Sequence, residues 1–479
     1  MAKIRWIKNV DWVIAWNKAS GRQGYLQNAD IVFRGNTIEF VGRNYSGAAD
    51  ETIGGKGLLA MPGLVDIHSH PSTEPFYRGI REEHGVPQMY MSGLYERSLA
   101  FSPAMEGRRV GAEVAYCEML RTGITTVADL SAIYPGWIDI AARSGLRVYL
   151  SPAYASARWY LENEWELKYR WDEGGGKTRF QEALRLIDEA RRHPSGRLSG
   201  MVGPAQIDTC TADLLRESRT AAQERELPFT THCAQSVNEF AEIVNRTGKT
   251  PIQWAEEIGI LGPGTILGHA IFIDEHSWLH WHSREDLQTL AGTATSVAHC
   301  PSPFARYGQM LENFGRYRRA GVNLGLGTDV APHNLIEEMR LAAILGRIAA
   351  EDIRAVTTAD LFHAATVGGA DALGRDDLGR LAPGARADIV LVDLKHPFMM
   401  PARDPLRSLV YTAADRAVRD VYIDGTKVVE NGRVLTLDHG TALEALVEAQ
   451  RRMEASVPDR DYRKRKADEI VPLSLPLIP

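Results

Sequence analysis

The stretch Met61-Pro62-Gly63-Leu64-Val65-Asp66-Ile67-His68-Ser69-His70-Pro71 decides how this chain is read. A short apolar run, Leu64 to Ile67, ends in two histidines separated by one residue. In a β-strand successive side chains alternate faces, so His68 and His70 point the same way. Two imidazoles on one face of a strand end can grip one metal ion, since neutral histidine nitrogen is a common ligand for zinc and iron. Chance offers a competing account, because 14 histidines are spread over 479 residues. The rest of the chain decides, by whether it supplies further ligands in a consistent order.

Downstream of this stretch, strand-like and helix-like segments alternate. Ser102 and Pro103 suit the N-cap and first position of a helix. Val110, Val114, Cys117 and Leu120 then recur at helical spacing, with Gly123 as a stop. Strand-like runs follow at 124–128, 146–150, 200–203, 227–231, 265–268, 294–298 and 322–326. With 64–67 they make eight, mostly separated by helix-length segments. That alternation predicts an α/β chain with a (β/α)8 TIM-type barrel over 62–383, its active site at the C-terminal ends of the strands.

Both chain ends read differently. Segments 4–7, 12–15, 29–33 and 37–41 are β-rich, with a turn signal at Arg34-Gly35-Asn36. Segments 388–393 and 418–430 match them, and Gly425 sits where a hairpin would turn. The expectation is one small β-sandwich built from 1–61 and 384–440. The remainder, 441–479, opens as a helix, turns charged, and ends apolar at Ile470 to Ile478. That apolar end is expected to pack on the barrel or on a neighbouring subunit, favouring a homo-oligomer, dimer or higher.

Composition narrows the partners. Hydrophobic residues are 44%, charged residues 24% and the net charge is −6, so the chain has no basic footprint for nucleic acid or anionic membranes. No apolar run reaches the roughly 18 residues of a membrane span. The N-terminus lacks a signal peptide's apolar stretch. Cys117, Cys210, Cys233 and Cys300 are scattered without paired spacing, which suits reduced thiols and a cytoplasmic location.

In a barrel, the residues that end the strands carry the chemistry. The first strand ends in His68 and His70, the fifth in Thr231-His232, the sixth in Gly268-His269, the seventh in Ala298-His299 and the eighth in Thr328-Asp329. This order resembles the amidohydrolase superfamily, as do Pro62 to His70, Leu267-Gly268-His269, Leu326 to Asp329, Met339-Arg340 and Pro383 to Val390. The resemblance implies His68, His70, His232 and Asp329 as metal ligands. Asp329 and His269 then become the catalytic pair, Asp329 as base and His269 positioning water or polarising a substrate oxygen. Binuclear members bridge two ions with a lysine after the fourth strand; Gly200 to Thr209 contains none. The chain is therefore similar to the mononuclear branch of cytosine and guanine deaminases and triazine hydrolases. The implied cofactor is one divalent transition metal, zinc first, with iron, cobalt and manganese open.

One departure shapes the functional expectation. Deaminating and dechlorinating members carry a glutamate three residues after the fifth-strand histidine, where this chain has Gln235. A carboxamide cannot exchange a proton at neutral pH. Glu239, four residues on, reads as a solvated helix carboxylate. The main expectation is therefore hydrolysis of a C–N or thiocarbamate C–S bond in an amide, urea or carbamate, with a likeness to phenylurea and thiocarbamate (molinate) hydrolases. The alternative is deamination or dechlorination of an N-heteroaromatic ring, and a non-catalytic relative is a minor third.

The expected substrate is a partly aromatic or apolar small molecule. Gln235, Phe76, Tyr77, Arg78, Trp159, His299, Phe304 and His333 are candidate contacts, and Tyr90, Tyr95 and Tyr307 lie in similar loops. His276, His280 and His282 read as helical surface. Cys233 and Cys300 read as packing.

Overall fold

The computed structural model describes residues 2–80 and 93–478. Its α/β part contains eight parallel strands: β1 (Leu64–Ser69), β2 (Ile124–Ser131), β3 (Arg147–Pro152), β4 (Leu198–Gly200), β5 (Phe229–Cys233), β6 (Thr265–His269), β7 (Ser296–His299) and β8 (Leu324–Leu326). Almost every residue of these strands is buried, the pattern of parallel strands covered on both faces.

The strands form two sheets of four, β1 to β4 and β5 to β8, rather than one unbroken eight-strand ladder. Single bridges join their edges, Ser69 to Asp329 on one side and Val202 to Phe229 on the other. Local chemistry explains both interruptions. Beyond β4 the chain reaches Pro204, which has no N–H to give a ladder. Beyond β8 it turns at Asp329, whose φ is +57°. Val65, Ile67, Ala128, Leu130, Tyr149, Met201, Ile266 and Ala298, drawn from both sheets, nevertheless share one core cluster.

The chain ends meet in a second sheet. Nine strands, five from residues 4–62 and four from 389–434, are linked by hydrogen bonds into one sheet among the described residues, where two separate sheets were expected. The long strand Ile4–Asn17 accounts for the difference. It shifts register between Ile7 and Val10, with Asn9 at φ +56°. Before the bulge it pairs with Glu51–Gly54 and after it with Leu58–Pro62, so one strand serves two partners. Ile7, Val13, Phe33, Ala60 and Leu391 pack together on this sheet.

Three helices matter for the site: α1 (Met105–Arg121), α2 (Val237–Thr247) and α3 (His439–Ala455). Leu446, Ala449 and Met453 of α3 cluster with Val114 of α1 and with Phe76 and Tyr77. The C-terminal helix therefore packs on its own chain, while Leu473, Leu475, Leu477 and Ile478 beyond it are exposed. Among the described residues no helix is long and apolar enough to cross a membrane. All four cysteines are buried and free.

Candidate metal centre and active site

Five side chains from four strand ends converge: His68 and His70 from β1, His232 from β5, His269 from β6 and Asp329 from the turn after β8. His70 Nε2 lies 3.3 Å from Asp329 Oδ1, His68 Nε2 lies 3.7 Å from the same oxygen, and His269 Nε2 lies 3.7 Å from Asp329 Oδ2. His232 Nε2 is 3.3 Å from His70 Nε2. The local sequence allows this crowding. A Cβ on Gly268 would stand 2.6 Å from the His68 ring, and one on Gly327 would stand 2.6 Å from the His68 carbonyl. Only glycine fits at either strand end.

The protonation pattern fits a cation. His70 Nδ1 donates to the Leu130 carbonyl at 2.7 Å, and His232 Nδ1 donates to the Ala205 carbonyl at 2.6 Å. With Nδ1 of each ring turned to a backbone carbonyl, both Nε2 atoms face the same point beside Asp329. Backbone-anchored imidazoles with Nε2 turned to a common point are the usual form of metal-ligating histidine. Both ring nitrogens of His68 are buried without a hydrogen-bond partner. His68, His70 and His232, and His68, His269 and Asp329, form two overlapping groups able to hold an ion.

Burial sets the charges. It holds His68 well below the usual imidazole range, and takes His232 to about 3 and His269 to about 4. Burial opposes charge on His70 too, but its hydrogen bond to Asp329 outweighs that and lifts the ring. Burial would raise Asp329, yet the surrounding imidazoles hold it well below the carboxylate range. The cluster is mostly neutral nitrogen around one ionised carboxylate, the donor set that a divalent transition ion takes.

A chamber of about 290 Å³ opens on this cluster, lined by His70, His232, His269 and Asp329 together with Tyr77, Trp159, Gln235, Phe304 and Tyr307. The Phe304 ring stands 4.6 Å from that of His269. Trp159 is fixed by a 2.9 Å hydrogen bond to Asp208, and Tyr77 by a 3.0 Å bond to the Phe101 carbonyl. Gln235 Nε2 donates to Gln206 Oε1, a residue that sequence reasoning passed over. A larger cavity, about 670 Å³ beside Arg22–Tyr25 and Thr357–His363, contains none of these residues.

Four expected contacts lie elsewhere. Phe76 is fully buried among α1 and α3, because the chain after His70 turns beneath the C-terminal helix. Arg78 pairs with Glu118, and His333 Nδ1 sits 3.2 Å from the same carboxylate, so both are tied to α1. His299 packs against Phe314, ring centroids 5.6 Å apart, outside the chamber lining. Tyr95 is buried, its hydroxyl 2.6 Å from Ser236 Oγ, and Tyr90 lies outside the described residues. His276, His280 and His282 stand in an irregular loop rather than on a helix, and His276 Nδ1 accepts from the Trp278 amide.

Glu239 is the main surprise. It is fully buried in the first turn of α2, not solvated. One carboxylate oxygen accepts from the Ala234 amide and the other has no partner. Burial and the nearby Asp208 push it well above the carboxylate range, towards an uncharged acid. Its i+7 spacing from His232 on an amphipathic helix was the only available signal, and it pointed equally to a solvent face.

A model of the Amidohydrolase family matches residues 59–428. The chain belongs to this family. As an amidohydrolase it is a metal-dependent hydrolase acting on C–N bonds. It is 31% identical to a 5-methylthioadenosine/S-adenosylhomocysteine deaminase of Thermococcus kodakarensis, over 83% of this chain and 88% of that one. It is 28% identical to a 5'-deoxyadenosine deaminase of Methanothermobacter thermautotrophicus, over 88% and 94% of the two chains. Among solved structures it superposes on atrazine chlorohydrolase from Arthrobacter aurescens TC1 complexed with zinc, with a TM-score of 0.77 and 25% identity, covering 93% and 100% of the two chains. These names favour the deaminase alternative over the amide and urea expectation. They lend no support to the narrower likeness to phenylurea and thiocarbamate hydrolases.

Proposed function

We propose that this amidohydrolase cleaves a C–N bond at a planar carbon and releases an amine, with His68, His70, His232 and Asp329 holding one divalent transition ion, zinc first. The two four-stranded sheets would then act as one barrel with the ion at its C-terminal rim. Such an ion supplies a Lewis acid that lowers the pKa of a water from 15.7 to about 7. The supporting observation is the convergence of the His68, His70 and His232 nitrogens, His70 and His232 Nε2 3.3 Å apart, on the Asp329 carboxylate.

The chain's own groups then divide the work. Asp329, ionised and facing His269 through Oδ2, takes the water's proton and hands it to the departing nitrogen. His269, neutral at pH 7, donates a hydrogen bond where negative charge develops. Trp159, Phe304 and Tyr307 offer flat apolar walls to a planar substrate. The relatives' names make a 6-aminopurine nucleoside, such as 5'-deoxyadenosine, the first substrate to test.

Gln235 favours a second reading. Deamination of a ring needs a proton delivered to a ring nitrogen, and Gln235 has none to give. Its amide and that of Gln206 form a neutral donor and acceptor edge that matches an amide, urea or carbamate. The test is a nitrogen-product assay on metal-replete protein. Ammonia from adenosine-type nucleosides supports the first reading, and aniline or alkylamine from aryl amides or ureas supports the second. Release of neither, across both panels, overturns the proposal.

A further inference from the structure

A second chamber, about 200 Å³, adjoins the metal cluster and shares His70, His232, Gln206 and Arg108 with the main one. Among the described residues no carboxylate lines it. Arg108, on α1, forms no ion pair or hydrogen bond with any described residue, and its Nε is buried without a partner. Other arginines drawn into the interior have partners: Arg147 meets Asp388 and Asp424, Arg380 meets Asp371, and Arg219 donates to the Pro263 carbonyl at 2.7 Å, whereas half-buried Arg108 has neither carboxylate nor carbonyl among the described residues. Two hydroxyls that line the same chamber, Ser72 Oγ and Ser151 Oγ, belong to residues only 1% exposed and also lack partners.

Unsatisfied buried donors are costly and infrequent, and three around one cavity need an acceptor. We propose that this side chamber is a binding subsite for a carboxylate carried by the substrate, gripped by the Arg108 guanidinium and by the Ser72 and Ser151 hydroxyls. A guanidinium suits a planar two-oxygen anion, and the serines cap the same group from the opposite chain segments. The structure around α1 supports a fixed placement. A Cβ on Gly111 would stand 2.7 Å from the Ser72 carbonyl, so α1 lies tight against the segment that carries Ser72 and follows His70. The inference names a property of the substrate proposed above and rests on that site being the reacting centre.

Equilibrium binding tests it without turnover, so a wrong choice of reaction leaves the outcome readable. Metal-loaded protein is titrated calorimetrically with benzoate and with benzamide, which share shape but not charge. Wild type is expected to bind benzoate at least about tenfold more tightly. Arg108→Gln should erase that preference while leaving benzamide affinity and metal content unchanged, and Arg108→Lys should restore part of it. Ser151→Ala, a smaller perturbation should Arg108→Gln fail to fold, should weaken benzoate about threefold. A benzoate preference that survives Arg108→Gln and Ser151→Ala would place the anion on the metal itself and overturn the subsite, as would no preference in wild type.

Discussion

His68 has no freedom in its choice of neighbours. Its ring is wholly buried, lies against Gly268, and finds no hydrogen-bond partner for either nitrogen. Gly268→Ala should therefore lower zinc affinity by about ten- to a hundredfold, the effect of disturbing an orienting neighbour, read by competition with a chromogenic chelator. Asp329→Asn keeps the shape and removes the base; kcat should fall by about 10²–10⁴ with the protein still folded. Near-normal turnover would refute its role. Gln235 and Glu239 separate the two reactions. Gln235→Glu should raise ammonia release from a purine nucleoside if a ring proton is what the site lacks. Glu239 binds its proton more tightly folded than unfolded, because burial raises its pKa. Its contribution to stability is complete below the unfolded carboxylate pKa of about 4.3 and is lost as pH rises through the higher folded value. Glu239→Gln keeps an acceptor for the Ala234 amide without ionising, so its melting temperature should decline less than wild type's between pH 5 and 9. Equal declines would show that Glu239 is not held as an acid.

At the scale of elements, the eight parallel strands and the histidines at their ends were legible because each apolar run stops at a chemically marked residue. Boundaries shifted by a few residues, as at β4, which pairs over 198–200 rather than 200–203. The hairpin of Ala157–Leu161 and Leu167–Trp171 was not foreseen, since its mixed aromatic and charged residues carry no clear apolar face. Phe76 and Tyr77 were placed together on sequence proximity to His70, yet the short turn at Glu74–Tyr77 sends one into packing and one to the chamber wall. Arg108 was invisible, because an arginine in the second turn of a helix is ordinarily solvated. The contact between α3 and Phe76 has a measurable consequence. Leu446→Ala should cost about 2–5 kcal/mol in denaturant unfolding while metal content stays unchanged.

Across the whole molecule, what sequence could not reveal was long-range pairing. That both ends were β-rich was readable, but their merger into one sheet depends on the bulge at Asn9 and on a strand that changes partner along its length. The same holds for the tie between that sheet and the parallel strands. Arg147 begins β3 and reaches Asp424 at 2.7 Å and Asp388 at 3.4 Å, all largely buried and far apart in sequence. Arg147→Met would strand two buried carboxylates and should cost about 3–5 kcal/mol, seen as a lower denaturation midpoint. The account as a whole stands on a single ion at the meeting point of β1, β5 and the turn after β8. Metal content by mass spectrometry of the purified, zinc-replete chain tests it most directly. The prediction is close to one transition ion per chain, falling to a small fraction in His70→Ala. A wild-type chain that retains none, or a His70→Ala chain that retains its full complement, would contradict it.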